Sequence, residues 1–207
     1  DKFIEYSNLE FFEDYYDEVV AITGKLENAT ERLVVFNRRE ALLGWNTTTF
    51  PQLKLIAQEF EPFKQLWTIA SDWNKSQPNW MYGQFSDVKS DVVDNDVTTW
   101  SKTLYKMLRT FKDRPGPLKA VEELRAKIDE FQVHLPVIQA LRNPGLRDRH
   151  WVSISQQVGV RLSPVTDESL SLETLINLNI AQHQEFLDQV AAEASKEHML
   201  EKALEKM

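Results

Sequence analysis

The chain has no cysteine in its 207 residues. Disulfides and thiolate-ligated metal sites are thereby excluded, and a reducing, intracellular compartment is the expectation. Glycine is also scarce. The six glycines, at positions 24, 44, 83, 116, 145 and 159, are never closer than fourteen positions. A phosphate-cradling loop needs closely spaced glycines so that backbone N–H groups can converge on an anion; the Walker A and dinucleotide fingerprints are therefore absent. No apolar run approaches the ~20 residues that span a bilayer. The acidic start from Asp1 to Glu18 lacks the basic stretch and apolar core of a signal peptide. Positive charge is in deficit, with a net charge of −8. That argues against nonspecific nucleic-acid binding, which depends on neutralising phosphates with Lys and Arg. Neither nucleic acid nor membrane is an expected partner.

The four histidines form no metal signature. A helical His-Glu-x-x-His pattern from His183 fails because Gln184 and Leu187 stand where the glutamate and second histidine belong. His198 lies between Glu197 and Glu201, which reads as a solvated helix face, and His134 is expected on an outer face. Glu193, Glu197, Glu201 and Glu205 recur every four residues. Such carboxylates could do acid–base chemistry if one were desolvated, but the interspersed Lys196, Lys202 and Lys206 favour a solvated or partner-facing stripe. No metal, catalytic or cofactor-binding residue is assigned, and the segment is not read as an enzyme.

What the chain does contain is aromatic residues and helical periodicity. Six Trp, five Tyr and eleven Phe supply large packing surfaces. Tyr15, Val19, Ile22, Leu26, Ala29, Leu33, Phe36 and Leu43 step by four and three, with Glu40 interrupting, and predict one long amphipathic helix. Trp45 to Pro51 reads as a threonine-rich connection with Thr49 as N-cap. Leu53, Ile56, Phe60, Phe63, Trp67 and Ala70 predict a second helix, kinked or broken at Pro62. A loop from Ser76 to Asp87, with Trp80 and Tyr82 exposed, is expected next. Val97, Trp100, Leu104, Met107 or Leu108, and Phe111 follow on one helical face, ended by Pro115-Gly116-Pro117. Val121, Leu124, Ile128, Phe131, Leu135 and Ile138 form another stripe, bent at Pro136.

Towards the C-terminus, Trp151, Ile154 and Val158 predict a short helix capped by Gly159. Val160 to Ser169 has turn chemistry around Pro164. Ser171 reads as an N-cap with Glu173 in the first turn. A last helix carries Phe186 or Leu187, Val190, Ala194, Leu200, Leu204 and Met207 with no stop signal, so continuation of the chain is expected. No segment alternates with period two for long, and no fixed-length repeat is present. The fold class is therefore all-α, an elongated multi-helix bundle with little or no β structure.

One corner is denser in information than the rest. In the run Leu135 to Trp151, Pro144 disfavours helical geometry at Asn143, Gly145 tolerates positive φ, and the chain must turn. Arg142, Arg147 and Arg149 cluster there, and His150 stands between Arg149 and the indole of Trp151. His150 reads as a hydrogen-bonded corner residue beside a buried indole, or alternatively as a contact or switch residue. Trp151 reads as the structural anchor.

This corner resembles the linker region of dynein heavy chains in three linked pieces: Leu135-Pro136, Leu141-Arg142-Asn143-Pro144 and Arg149-His150-Trp151. Asn37, Arg39, Glu40, Leu42 and Gly44 are similar to the family's Asn-x-Arg-Glu-x-Leu-x-Gly pattern. Phe60-Glu61-Pro62-Phe63, Leu66-Trp67, Ala70, Trp73 and Trp80 resemble its following helix. Ala194, Glu197, Leu200-Glu201 and Leu204 resemble its later Ala-x-x-Glu-x-x-Leu-Glu-x-x-Leu helix. The likeness covers residues 32 to 207, and residues 1–31 carry only a generic helical pattern.

The resemblance implies that residues 1–207 are the N-terminal portion of a linker that changes between bent and straight forms over an ATPase ring. Partners would be that ring, in the same heavy chain, and, through the rest of the chain, microtubules and other dynein subunits. The segment itself needs no cofactor; ATP and Mg belong to the ring. The setting would be the cytoskeleton, in a ciliary or flagellar axoneme, with a cytoplasmic dynein as the nearest competitor. Arg142, Asn143, Arg147, Arg149 and His150 are candidates for docking on the ring or forming the corner. The alternatives are a tail-bundle or spectrin-like scaffold without a motor role, and a helical enzyme with a concealed carboxylate site.

Overall fold

The structure, a computed structural model, describes residues 2–163 and 169–205. Eight α-helices account for most of them: α1 (Phe12–Leu42), α2 (Pro51–Tyr82), α3 (Ser90–Thr110), α4 (Pro115–Gln132), α5 (Leu135–Leu141), α6 (Asp148–Val158), α7 (Leu172–Asn177) and α8 (Gln184–Glu205). Short 3-10 turns precede α1, α3 and α8. No strand occurs among the described residues, so the fold is all-α. Nor is any described helix long and apolar enough to cross a membrane.

The chain divides into two compact units. One comprises Asp1–Trp73 with Lys102–Ala126, the other Asn74–Ser101 with Lys127–Met207. In the first, Phe63, Leu66 and Trp67 of α2 are buried, as are Leu104, Phe111, Val121 and Leu124. Tyr15 stacks on Tyr6 at 3.8 Å between ring centroids and meets the edge of Trp67 at 4.6 Å. In the second, Val93, Val97, Trp100, Ile128, Phe131, Ile138 and Leu141 are buried together with Leu172, Leu175, Leu187 and Val190. The periodic stripes of α3 and α4 thus become core, with Met107 rather than Leu108 buried.

Several expectations are corrected. Of the kink or break expected at Pro62, the break does not occur, because helix α2 is continuous there. A proline deletes one backbone hydrogen bond, but the buried Phe60 and Phe63 on either side hold the segment helical against that loss. The same helix runs on to Tyr82, so the expected loop from Ser76 shrinks to the residues after it. Trp80 is half-buried, stacked on Trp100 at 5.9 Å, whereas Tyr82 is exposed. Helix α2 starts at Pro51, a favoured first position, which leaves Phe50 rather than Thr49 beside the terminus. At Pro136 the stripe breaks instead of bending: α4 ends at Gln132 and a separate helix begins at Leu135. His134, at that break, is half-buried, and burial pushes its pKa down against the opposing pull of Glu130.

Glu40 is no interruption. It is buried, and its carboxylate accepts the Thr48 N–H at 2.7 Å and the Thr48 hydroxyl at 2.6 Å, closing the α1–α2 connection. Gly44, at φ 70°, turns the chain there. Phe36 and Leu43, assigned to the stripe, are exposed instead, as are Leu200 and Leu204 near the end of α8. Local punctuation behaves as expected. Gly159 ends α6 at φ 76°, and the Ser171 hydroxyl accepts the Thr174 N–H at the start of α7. Pro164 lies outside the described residues, as does Met207.

Candidate functional site

The corner between α5 and α6 is seated on α8, against which both helices pack. Helix α5 stops because Pro144 follows Asn143, and the side chain of Asn143 then takes over the bonds that a helix would have supplied. Its Nδ2 donates to the Ala191 carbonyl at 3.0 Å and to Ser195 Oγ at 2.7 Å. Its Oδ1 accepts the Gly145 N–H at 2.9 Å. One amide thus ties the turn to itself and to the neighbouring helix.

Gly145 serves close approach rather than positive φ. Among the described glycines, positive φ is confined to Gly44 and Gly159. A Cβ on Gly145 would lie 2.3 Å from the Ala194 carbonyl oxygen and 2.6 Å from its carbon. Only a residue without a side chain lets the turn meet the α8 backbone there. Ala194, fully buried, keeps that surface low from the other side.

Arg142 turns away from α8. Its Nε donates to the Val88 carbonyl at 2.8 Å and its Nη2 to the Ser86 carbonyl at 2.6 Å, with the guanidinium 5.9 Å from the centre of the Phe85 ring. Burial pulls its pKa down and Asp87 pushes it back up; at any ordinary pH it stays charged. Arg142 therefore holds the turn before α3 to the end of α5.

Helix α6 starts with Arg147 extended at φ −118° and ψ 168°. Its backbone N–H donates to His150 Nδ1 at 2.9 Å. Because Nδ1 accepts, a neutral His150 carries its proton on Nε2, which faces Glu197 Oε2 at 3.2 Å. This is one half of a capping box; Arg147 has no acceptor to complete the other half. The indole of Trp151 is buried next to it, 6% exposed, with Ile154 beneath. His150, hydrogen-bonded to the backbone at the start of α6, thus neighbours a buried indole in the chain.

The acidic stripe of α8 meets the arginines of the corner. Arg147 pairs with Glu201 at 2.6 Å, and Arg149 with Glu197, whose Oε2 also faces His150. The hydrogen bond from Arg147 holds the Glu201 carboxyl below its usual range, and the carboxylate raises the arginine in return. The effect of that pair on stability is therefore present at neutral pH and lost as pH falls through the depressed Glu201 value. Both partners are well exposed, so water and salt screen the pair, and it orients the corner more than it holds it. The firm part of the joint is Asn143 and Gly145. Sequence reasoning had the arginines and the four-residue glutamate spacing but did not join them, although opposite charges at matching helical spacing were a usable signal. Ala191 and Ser195, which receive the Asn143 amide, carry no comparable signal in the sequence.

The corner positions α5 and α6 against α8; among the described residues no group of His, Asp or Glu is arranged to hold a metal. The family described as dynein heavy chain, N-terminal region 2, matches residues 53–207. Dynein axonemal heavy chain 1 of Homo sapiens is 33% identical over 191 residues, covering 92% of this chain and 4% of the relative. Dynein axonemal heavy chain 3 of Mus musculus is 31% identical over 186 residues, 90% of this chain and 4% of the relative. Dynein axonemal heavy chain 12 of Homo sapiens aligns with the whole chain at 29% identity, over 7% of its own length. The chain thus spans only a small part of these relatives, and the match reaches into the first thirty residues, where motifs alone carried no likeness. With a family match across about three quarters of its length, this chain belongs to the dynein heavy chain family, as part of its N-terminal region.

Proposed function

We propose that this segment is a mechanical linker of a microtubule motor, a lever that carries displacement between an ATPase ring in the same heavy chain and the rest of the molecule. The observation that carries the reading is the joint at α5, α6 and α8. A lever must pass force across each change of chain direction without yielding, and here the turn is locked by the three bonds of Asn143 and by the backbone approach at Gly145. Few glycines and long helices serve the same end. The ring supplies ATP and Mg chemistry; this segment, without a glycine-dense loop, holds neither. The names of its relatives favour an axonemal setting, with microtubules and other dynein subunits met through the rest of the chain. The exposed Arg147 and Arg149, with their acidic partners, are the part of the corner free to exchange contacts with a charged ring surface as the linker changes form.

The test is uncoupling. Replacing Asn143-Pro144-Gly145 by a flexible Gly/Ser stretch in the full motor lets strain dissipate locally, because such stretches behave as random coil. ATP turnover should persist while microtubule gliding slows sharply. Gliding at normal speed would show this corner to be a passive spacer.

A further inference from the structure

Helices α1 and α2 leave an apolar groove between them in the first unit. Its volume is about 710 Å³, and Leu26, Val34, Ala57 and Phe60 line it. Val34 is 64% exposed and Val35 50%, so the groove is bordered by large aliphatic side chains without cover. Glu27, Glu31 and Glu61 also line it, against Lys64 as the one cation in that lining. A second groove, of about 460 Å³ and lined by Leu33, Phe36, Phe50 and Ile56, is formed by the same two helices and the connection between them. A helix pair with apolar grooves of this kind has the pattern of one packed among neighbours rather than one facing water.

We propose that the larger groove is the seat of an amphipathic helix from the part of the same heavy chain that precedes this segment, its apolar stripe flanked by Lys or Arg. The flanking charge follows from the lining: three carboxylates against one ammonium attract a basic-edged helix and repel an acidic-edged one. The source follows from where the groove lies. The family match begins at residue 53 and its description numbers the region as the second, so α1, one whole wall, stands ahead of it. The chain spans only 4% of a relative such as axonemal heavy chain 1, so abundant chain is tethered close by. A tethered helix meets its groove at high effective concentration and needs little intrinsic affinity. This inference rests on membership of the family, not on the lever reading.

Residues 1–207 hold no cysteine, so Val34→Cys introduces the one thiol of this segment, and its labelling is read on the peptide that carries position 34. Maleimide labelling is compared in residues 1–207, in the natural heavy chain extended upstream, and in the same chain extended downstream. Tyr105→Cys, exposed and away from the groove, is the control for folding and for general crowding. The upstream extension should slow labelling at position 34 about tenfold or more, as a covered site is reached only through local opening. Its rate at position 105 should not change. Glu27→Lys, Glu31→Lys and Glu61→Lys together should restore fast labelling in the extended chain, and raised salt should move the rate the same way. Equal labelling of position 34 with and without the upstream chain overturns the proposal. So does protection conferred only by the downstream extension, or protection that survives the triple charge reversal.

Discussion

Gly145→Ala separates close packing from backbone freedom at the corner. The glycine does not sit at positive φ, so alanine meets no intrinsic backbone penalty there. The cost is steric. The new Cβ would lie 2.3 Å from the Ala194 carbonyl oxygen and 3.1 Å from His198 Cβ. Ordinary contact requires the turn and α8 to part by about 1 Å, and a close-packed interior transmits such a shift rather than absorbing it. Overpacking of this kind costs about 1–3 kcal/mol. The same displacement stretches the two bonds from Asn143 Nδ2, at 3.0 and 2.7 Å, towards the limit of useful length. Losing them adds about 1 kcal/mol each. A loss of roughly 3–5 kcal/mol follows for the unit that contains the corner. Urea unfolding followed by tryptophan fluorescence measures it as a fall in midpoint at unchanged slope. Gly24→Ala is the matched control. It lies in mid-helix with nothing within 4 Å of its added Cβ, so it should stabilise, by about 0.4–1 kcal/mol. A Gly145→Ala midpoint equal to wild type would refute the close-approach argument.

Two further outcomes follow from named contacts. Trp151→Ala removes an indole only 6% exposed and should cost about 3–5 kcal/mol in the same assay, and an unchanged midpoint would make Trp151 a surface residue. The Tyr6 hydroxyl, donating to Glu18 at 2.7 Å, has its pKa pushed up to about 12, first by burial and then by that bond and the carboxylate charge. Its contribution to stability is complete below the ordinary tyrosine value and disappears as pH rises through the raised one. Spectroscopic titration should find one late-ionising tyrosine that Glu18→Gln makes ionise earlier; identical curves for the two proteins would remove Glu18 as a cause.

Helix existence and much of the capping were legible in the sequence because their causes are local. Gly159 ends α6 since an αL residue favours glycine, and Ser171 starts α7 since its hydroxyl reaches a backbone donor three residues on. The stripes of α3 and α4 were legible because period 3.6 places Val97, Leu104 and Phe111, then Val121, Leu124 and Ile128, on single faces. Periodicity states which face is apolar but not whether anything covers it. Phe36, Leu43, Leu200 and Leu204 have core spacing and are exposed among the described residues. Tertiary structure also decided Pro62, whose lost hydrogen bond is outweighed by buried neighbours, and Glu40, whose burial depends on Thr48 closing over it. At the corner the sequence by itself determined that the chain turns at Asn143-Pro144-Gly145. What the turn rests on lies 48 to 54 residues further along, at Ala191, Ser195, Glu197 and Glu201. Only the packing of α8 across α5 and α6 brings those groups together, because hydrogen bonds and steric contact act over a few ångströms in space however far apart the residues stand in the chain.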